Sequence, residues 1–320
     1  MEPLRSDRAA SHSIRVEAPA KINLGLRIVG VREDGYHSLE SVFVPLDWHD
    51  ELSISVSPST SMETSLTCQS AEDALKNAHL DVPDGPSNLA HRAAMGFLEK
   101  AGRLASLEIQ LTKRLPAAAG LGGGSSDAGA VLRGLAEIWP EDLSARELGD
   151  LAVSLGADVP FFLDPRPALV GGIGEQIQFL SGFPSLYVLL ANPGKALSTA
   201  EVFRAWDQRD PSLTPATPGS TLRALSRFLE SGLEQVGHSH TVLDELLVND
   251  LEKAAVGLCP EVGGLMAELA ASGARSVCMS GSGATIFGVF DSLEQAESAQ
   301  KRLALGDSGW SRLAASQPGR

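Results

Sequence analysis

The chain has 320 residues, 43% of them hydrophobic and 21% charged, which is the balance of a globular protein with substantial cores and excludes a largely disordered chain. Lys and Arg total 26 against 40 Asp and Glu, and the formal charge of −14 repels a phosphate backbone over most of the surface, which excludes a general nucleic-acid binder. A single nucleotide is a different case, because a few backbone N–H groups and cations decide its binding locally.

Residues 1–13 are polar and aperiodic, and they are expected to form a loose extension with no assigned role. From Ile14 the pattern is that of a strand, with Ile22, Leu24, Leu26 and Ile28 alternating with Lys21, Asn23, Gly25 and Arg27, so that Lys21 and Asn23 share a face. A turn at Glu33-Asp34-Gly35 leads to extended segments at 41–46 and 52–56, and the Ser/Thr-rich stretch 57–67 is expected to form another hairpin. Ser87-Asn88 caps a predicted helix through Lys100 that ends at Gly102. Leu107, Ile109 and Leu111 alternate as a strand, and after Pro116 and a glycine-rich stretch Val131, Leu132, Leu135 and Ile138 fall at helical spacing. Ser144 and Glu147 have capping-box spacing for a helix that stops at Gly156, which leaves Asp158 on a loop.

Residues 169–179 read as extended, and the apolar run 186–190 starts a buried strand of a second unit. The division is placed near Pro184, giving domains over 14–184 and 185–315. The proline-rich stretch 207–220 is a connection, with helices expected over 221–230, 243–256 and 262–271. Extended segments at 276–279 and 285–290 flank a second glycine loop, Ser280–Gly283, and Ser292 to Gln295 has capping-box spacing for a last helix. Cys68, Cys259 and Cys278 lie far apart with no C-x-x-C spacing, so neither a disulfide framework nor a zinc site is expected. With no signal-peptide core and no run of about 18 apolar residues, the expected location is the cytoplasm.

The chemistry concentrates in the first glycine loop: Pro116, Ala117, Ala118, Ala119, Gly120, Leu121, Gly122, Gly123, Gly124, Ser125 and Ser126, between a strand and a helix. Glycines let the backbone approach a bulky anion, and the first N–H groups of the helix have no intrahelical partners, which suits a triphosphate. A P-loop would need Gly-Lys-Ser/Thr, and the dinucleotide fingerprint would need glycine where Ser125 stands, so both are excluded.

This loop resembles the phosphate-binding motif of the GHMP kinases, the superfamily of galactose, homoserine, mevalonate and phosphomevalonate kinases. Pro19-Ala-Lys-Ile-Asn-Leu24 resembles its first motif and Met279-Ser-Gly-Ser-Gly-Ala-Thr285 its third, and the likeness runs from about Val16 to Phe290. Asp34-Gly-Tyr-His37 and Leu155-Gly-Ala-Asp-Val-Pro-Phe161 are similar to one branch, whose substrate is a sugar alcohol carrying a cytidine diphosphate group. The resemblance implies an α+β fold, an N-terminal domain like ribosomal protein S5 domain 2 packed on a C-terminal ferredoxin-like domain. It also implies phosphorylation of a hydroxyl by ATP, with Mg2+, in isoprenoid precursor synthesis.

By the same resemblance Asp158 takes the proton of the acceptor hydroxyl and Lys21 holds Asp158 ionised. The glycine loop binds ATP, Asn88 either reaches the adenine or only caps its helix, and Ser125 or Ser126 lies near the magnesium, for which no acidic ligand is named. Asn23, Tyr36, His37, Thr199 and Phe203 bind the substrate, with Phe203 stacking on cytosine and His37 hydrogen bonding. Where the branch often has an arginine before Gly174-Glu175, this chain has Ile173.

Overall fold

The computed structural model describes residues 5–6, 12–78, 80, 82–208, 215–231 and 239–317. Most of the N-terminal extension and residues 209–214 of the proline-rich connection therefore lie outside the described residues.

The first sheet contains β1 (Arg5–Ser6), β2 (His12–Val31), β3 (His37–Pro58), β4 (Glu63–Ser70), β5 (Arg103–Lys113), β6 (Ala168–Gly172) and β7 (Gln176–Phe179). Its spine is β1-β5-β3-β6-β7, with β2 on β3 and β4 on β5. The two extended segments expected at 41–46 and 52–56 are one strand, β3, whose two halves pair with β6 and β5 while β2 runs along its other edge. The expected hairpin at 57–67 does not form. β4 pairs parallel with β5, which lies between it and β3. The reason is burial: Ala105, Leu107, Ile109 and Leu111 of β5 are all buried, whereas β4 buries only Leu66 among its hydrophobic residues, which suits the edge.

Helices α1 (Leu89–Ala101) and α2 (Gly123–Ile138) cover one face of this sheet, and α3 (Ala145–Leu155) packs on them. Asn88 caps α1 by accepting from Ala90 N, Gly102 closes it in a left-handed conformation, and Ser144 and Glu147 form the capping box of α3. Phe97, Leu98, Val131, Leu132 and Leu135 pack on Leu52, Ile54, Leu107 and Ile109, and each fully buried side chain of this size contributes about 1.5–3 kcal/mol.

The rest of the chain supplies β8 (Tyr187–Asn192), α4 (Thr199–Asp207), α5 (Ser220–Ser231), α6 (Ser239–Leu246), α7 (Glu252–Leu258), α8 (Pro260–Ala271), β9 (Ser276–Met279), β10 (Ile286–Phe290), α9 (Leu293–Gln300) and β11 (Trp310–Ala315). The second sheet has the order β11-β8-β10-β9 with every pair antiparallel, the ferredoxin-like arrangement. Helix α4 and strand β11 are elements that the sequence pattern did not mark. The single helix expected over 243–256 is broken after Leu246. There the chain runs beside β2, with Leu26 N donating to Val248 O and Asp250 N to Leu26 O, both at 2.9 Å.

The two sheets share one core, in which Ile22, Leu24, Val44 and Leu46 meet Val188, Leu190, Phe287 and Trp310. A bulge between Leu24 and Leu26 then turns β2 over, so Leu26 and Ile28 enter a different cluster with Leu189, Val202, Leu251 and Met279. Asn249 lies where the units touch, bridged to Leu26 through its backbone, and its side chain fastens the second glycine loop. Its Nδ2 donates to Met279 O and Gly281 O, each at 2.8 Å, and its Oδ1 accepts from Leu251 N. Truncation leaves buried backbone groups unpaired, so Asn249→Ala is expected to lose about 2–4 kcal/mol in urea unfolding. A loss under about 0.5 kcal/mol, the level of a neutral surface change, would show that the second glycine loop is held by other means.

Candidate active site

The first glycine loop leaves β5 at Lys113 and enters α2 at Gly123. Gly120 has φ 76°, and a Cβ there would stand 2.3 Å from Ser280 O, so only glycine lets the two glycine loops touch. Helix α2 has no side-chain cap and no acid in its first turn, which leaves its leading N–H groups for an anion.

Beside this loop lies Lys21, held at its backbone by Leu121 O at 2.9 Å. Its side chain is only 4% exposed, and a buried ammonium must be compensated. Nζ donates to Asn23 Oδ1 at 2.6 Å, faces Asp158 Oδ2 at 3.5 Å, and lies 4.7 Å from the centre of the Phe43 ring. Asp158 stands just before a 3-10 turn, Val159–Leu163, and its side chain is 31% exposed, so the carboxylate reaches the open side of the pair. Strand β2 and the α3 loop thus bring together two residues 137 positions apart in sequence.

The second loop completes the seam. Ser280 Oγ donates to Gly120 O at 2.9 Å and accepts from Asn23 N at 3.3 Å, while Ser282 and Thr199 exchange a hydrogen bond at 2.9 Å between their hydroxyls. A cavity of about 550 Å³ opens along this seam, a size suited to a small organic ligand. Lys21, Asn23, Asp158, residues 116–120 and 122–125, Thr199 and Phe203 line it. One wall is apolar, formed by Leu26, Leu39, Val170 and Ile173, so the position where the branch often has arginine here extends a hydrophobic surface.

Not every expected residue faces this cavity. His37 stacks on Phe203 with ring centroids 4.9 Å apart, meets Trp206 edge-on, and bonds Asp207 Oδ1 through Nε2 at 2.8 Å. Tyr36 is 63% exposed on the turn and, like His37, is not among the lining residues. Leu121 is buried in the shared core, and Ser126 donates to Pro19 O at 2.7 Å, which leaves Ser125 as the loop hydroxyl on the cavity. The Asn88 amide is engaged at both ends, Oδ1 accepting from Ala90 N and Nδ2 donating to Pro83 O, each at 2.9 Å, and Asn88 does not line the cavity.

Residues that the sequence did not single out surround Lys113. Its ammonium bridges the carboxylates of Asp50 and Asp127, and Asp50 Oδ1 also accepts from Arg114 N and Leu115 N. Lys113 and Val82 line both the main cavity and a second one of about 550 Å³, whose walls include Cys68, Ala71, Leu75, Leu80 and Asp84. Burial acts to lower the Lys113 pKa, and the two carboxylates more than offset it, holding the group at about 12. Two buried anions around one cation leave an excess negative charge. Burial, opposed by Lys113 and reinforced by Asp50, pushes Asp127 up to about 7. Among the described residues Asp127 Oδ1 has no hydrogen-bond partner. Likewise, no group of three or more His, Cys, Asp or Glu is placed to hold a metal ion, and no single helix is long and apolar enough to cross a membrane.

Comparison with known proteins gives a consistent picture. Residues 88–165 match the GHMP kinases N terminal domain and residues 225–306 the GHMP kinases C terminal domain. A 4-diphosphocytidyl-2-C-methyl-D-erythritol kinase from Citrifermentans bemidjiense is 39% identical, the alignment covering 91% of this chain and 94% of that protein. One of the same name from Deinococcus radiodurans is also 39% identical, over 92% of this chain and 89% of that protein. A crystal structure of 4-(cytidine 5'-diphospho)-2C-methyl-D-erythritol kinase superposes with a TM-score of 0.74 at 35% identity, covering 96% of this chain and all of that one. A homoserine kinase from Cytophaga hutchinsonii, at 18% identity, a TM-score of 0.67 and coverage of 98% of this chain and 97% of that one, shares the fold.

The raised Asp127 pKa carries a sign for stability. Between the ordinary carboxylate value of 3.8 and about 7 the folded chain keeps a proton that the unfolded chain has released, so stability falls as pH rises through that window. Calorimetric melting from about pH 5 to about pH 8 is expected to show a smaller fall for Asp127→Asn than for the unsubstituted protein. Parallel curves for the two proteins would contradict a protonated Asp127.

Proposed function

The chain belongs to the GHMP kinases, within them to the 4-diphosphocytidyl-2-C-methyl-D-erythritol kinases, and we propose that it phosphorylates the 2-hydroxyl of 4-diphosphocytidyl-2-C-methyl-D-erythritol with ATP. The products are the 2-phosphate and ADP, in the methylerythritol phosphate route to isoprenoid precursors. The observation that carries this reading is the Lys21–Asp158 pair at the edge of the glycine loop, inside a cavity that continues to Thr199 and Phe203.

Phosphoryl transfer needs little covalent help, so positioning and charge do most of the work. The triphosphate is assigned to the N–H groups at the start of α2, with the adenosine directed past Lys113 toward the second cavity beside Cys68 and Leu75. The acceptor hydroxyl is assigned to Asp158, which takes its proton as the oxygen bonds to the γ-phosphorus and the bond to ADP breaks. Lys21, with Nζ 3.5 Å from that carboxylate, faces the charge on the transferred group. Ser125, whose hydroxyl lines the cavity, would hold the magnesium expected with ATP, which would supply neutralising charge at the phosphates. The cytosine is assigned to the aromatic end, where Phe203 lines the cavity and His37 stacks on it from outside the lining. A cytoplasmic location agrees with the three free cysteines.

Incubation with ATP and the diphosphocytidyl substrate, followed by phosphorus NMR, is expected to give ADP and a new phosphomonoester. Methylerythritol without the cytidine diphosphate should lose at least about 100-fold in kcat/KM, because remote binding energy is withdrawn. Equal turnover of the two would remove the cytidine reading. At the other end, a Cβ on Gly123 would meet Leu115 Cβ at 3.4 Å and Lys113 Nζ at 3.6 Å, ordinary contacts that the fold tolerates. Gly123→Val should lose calorimetrically measurable ATP binding, with its circular dichroism spectrum recorded on the same sample to separate lost binding from lost folding. Unchanged ATP affinity would displace the phosphates from this loop.

A further inference from the structure

An amide side chain has an oxygen and a nitrogen of nearly equal size, and only its hydrogen bonds decide which faces where. Asn23 turns Oδ1 to Lys21 Nζ, which can only donate, and this leaves Nδ2 in need of an acceptor. That acceptor is Ser41 Oγ at 2.9 Å. A serine hydroxyl can accept or donate, and it faces Asn23 as an acceptor because its own proton goes to Gly25 O at 2.6 Å. A backbone carbonyl can only accept, so the chain Lys21, Asn23, Ser41, Gly25 has one possible direction.

The carbonyl at its end is available because of the bulge in β2. Between Leu24 and Leu26 the ladder with β3 shifts register, and the bulged residue drops out of the pairing. Gly25 has φ 78°, and a Cβ there would lie 2.0 Å from Leu246 O, so no other residue fits the bend. Lys21, Asn23 and Ser41 are each no more than 3% exposed, so bulk water competes little for these bonds.

We infer that Ser41 is a positioning residue for phosphoryl transfer: by accepting from Asn23 and donating to Gly25, it fixes the Asn23 amide and so holds the Lys21 ammonium toward Asp158. The inference rests on the proposed kinase reaction for its kinetic consequence, but its structural half does not. Ser41 lies near the start of β3, paired with Leu26 of β2 on one side and Val170 of β6 on the other, and threonine, a residue strands favour, keeps the hydroxyl there.

The test uses the full chain with Ser41→Ala and Ser41→Thr. Ser41→Ala should lower kcat by about 10–100-fold, as a misplaced catalytic group does, with KM for both substrates within about threefold of the original. Ser41→Thr should recover most of that loss. Adding Ser41→Ala to Asn23→Ala should cost nothing further, because Ser41 acts through Asn23. Full kcat in Ser41→Ala, or an undiminished effect in the Asn23→Ala background, would overturn the inference. An independent readout is the NMR signal of the Lys21 ammonium, assigned by its loss in Lys21→Met. It should shift or exchange faster in Ser41→Ala and return in Ser41→Thr, whatever substrate the enzyme takes. An unmoved signal overturns the relay, whereas a moved signal with no phosphorylation of the diphosphocytidyl substrate overturns only the functional reading.

Discussion

One ammonium has to be kept charged in a nearly dry seam, and much of the molecule is arranged around that requirement. Lys21 is 4% exposed at its side chain, where an unpaired charge would be strongly disfavoured. Its compensation comes from Asn23 on its own strand, from Asp158 on the loop after α3, and from the face of Phe43 on β3. These three elements are fixed by different parts of the core, so the position of the charge is a property of the whole fold. Asp158, at 31% exposed, is the open member of the pair, which gives the carboxylate access to a substrate while the lysine stays sheltered.

The seam also explains why two sheets cooperate in one site. Ser280 of the second loop bonds Gly120 of the first, and Asn249 holds the second loop against the bulge in β2. The bulge therefore turns the strand from one core to another, accepts the chain that breaks α6 from α7, and offers the carbonyl that orients Ser41. A defect at that point is felt in packing and in the site together. Lys113 plays a comparable part on the other side of the glycine loop, where its two carboxylates come from β3 and α2 and keep the loop's entry and the helix start in register.

Features with local signals were legible in the sequence. Asn88 and Gly102 bound α1, Ser144 and Glu147 open α3, and the alternation of Leu107, Ile109 and Leu111 gives β5, because caps and periodicity act over a few residues. Pairing choices were not legible: the partner of β4 depends on which strand buries more, and the break after Leu246 follows from contact with β2, with no proline or glycine between Leu243 and Val256 to announce it. The Lys113 cluster joins groups 63 and 14 positions away, and nothing short of the fold brings them together. Of the candidate site, the glycine loop could be argued from its residues, whereas the roles of Lys21 and Asp158 came from resemblance alone. What the fold adds is their proximity, and of the two loop serines it turns the Ser126 hydroxyl to Pro19 O and leaves that of Ser125 on the cavity.

The central claim is that Lys21 and Asp158 act as one unit in the transfer step. Its most direct test is steady-state turnover of Lys21→Met, Asp158→Asn and the double variant, with calorimetric substrate binding on the same samples. Each single variant should lose about 10²–10⁴-fold in kcat while largely retaining binding, and the double variant should be little worse than the more damaged single. Near-original turnover in Asp158→Asn, or losses that multiply in the double variant, would contradict a coupled pair.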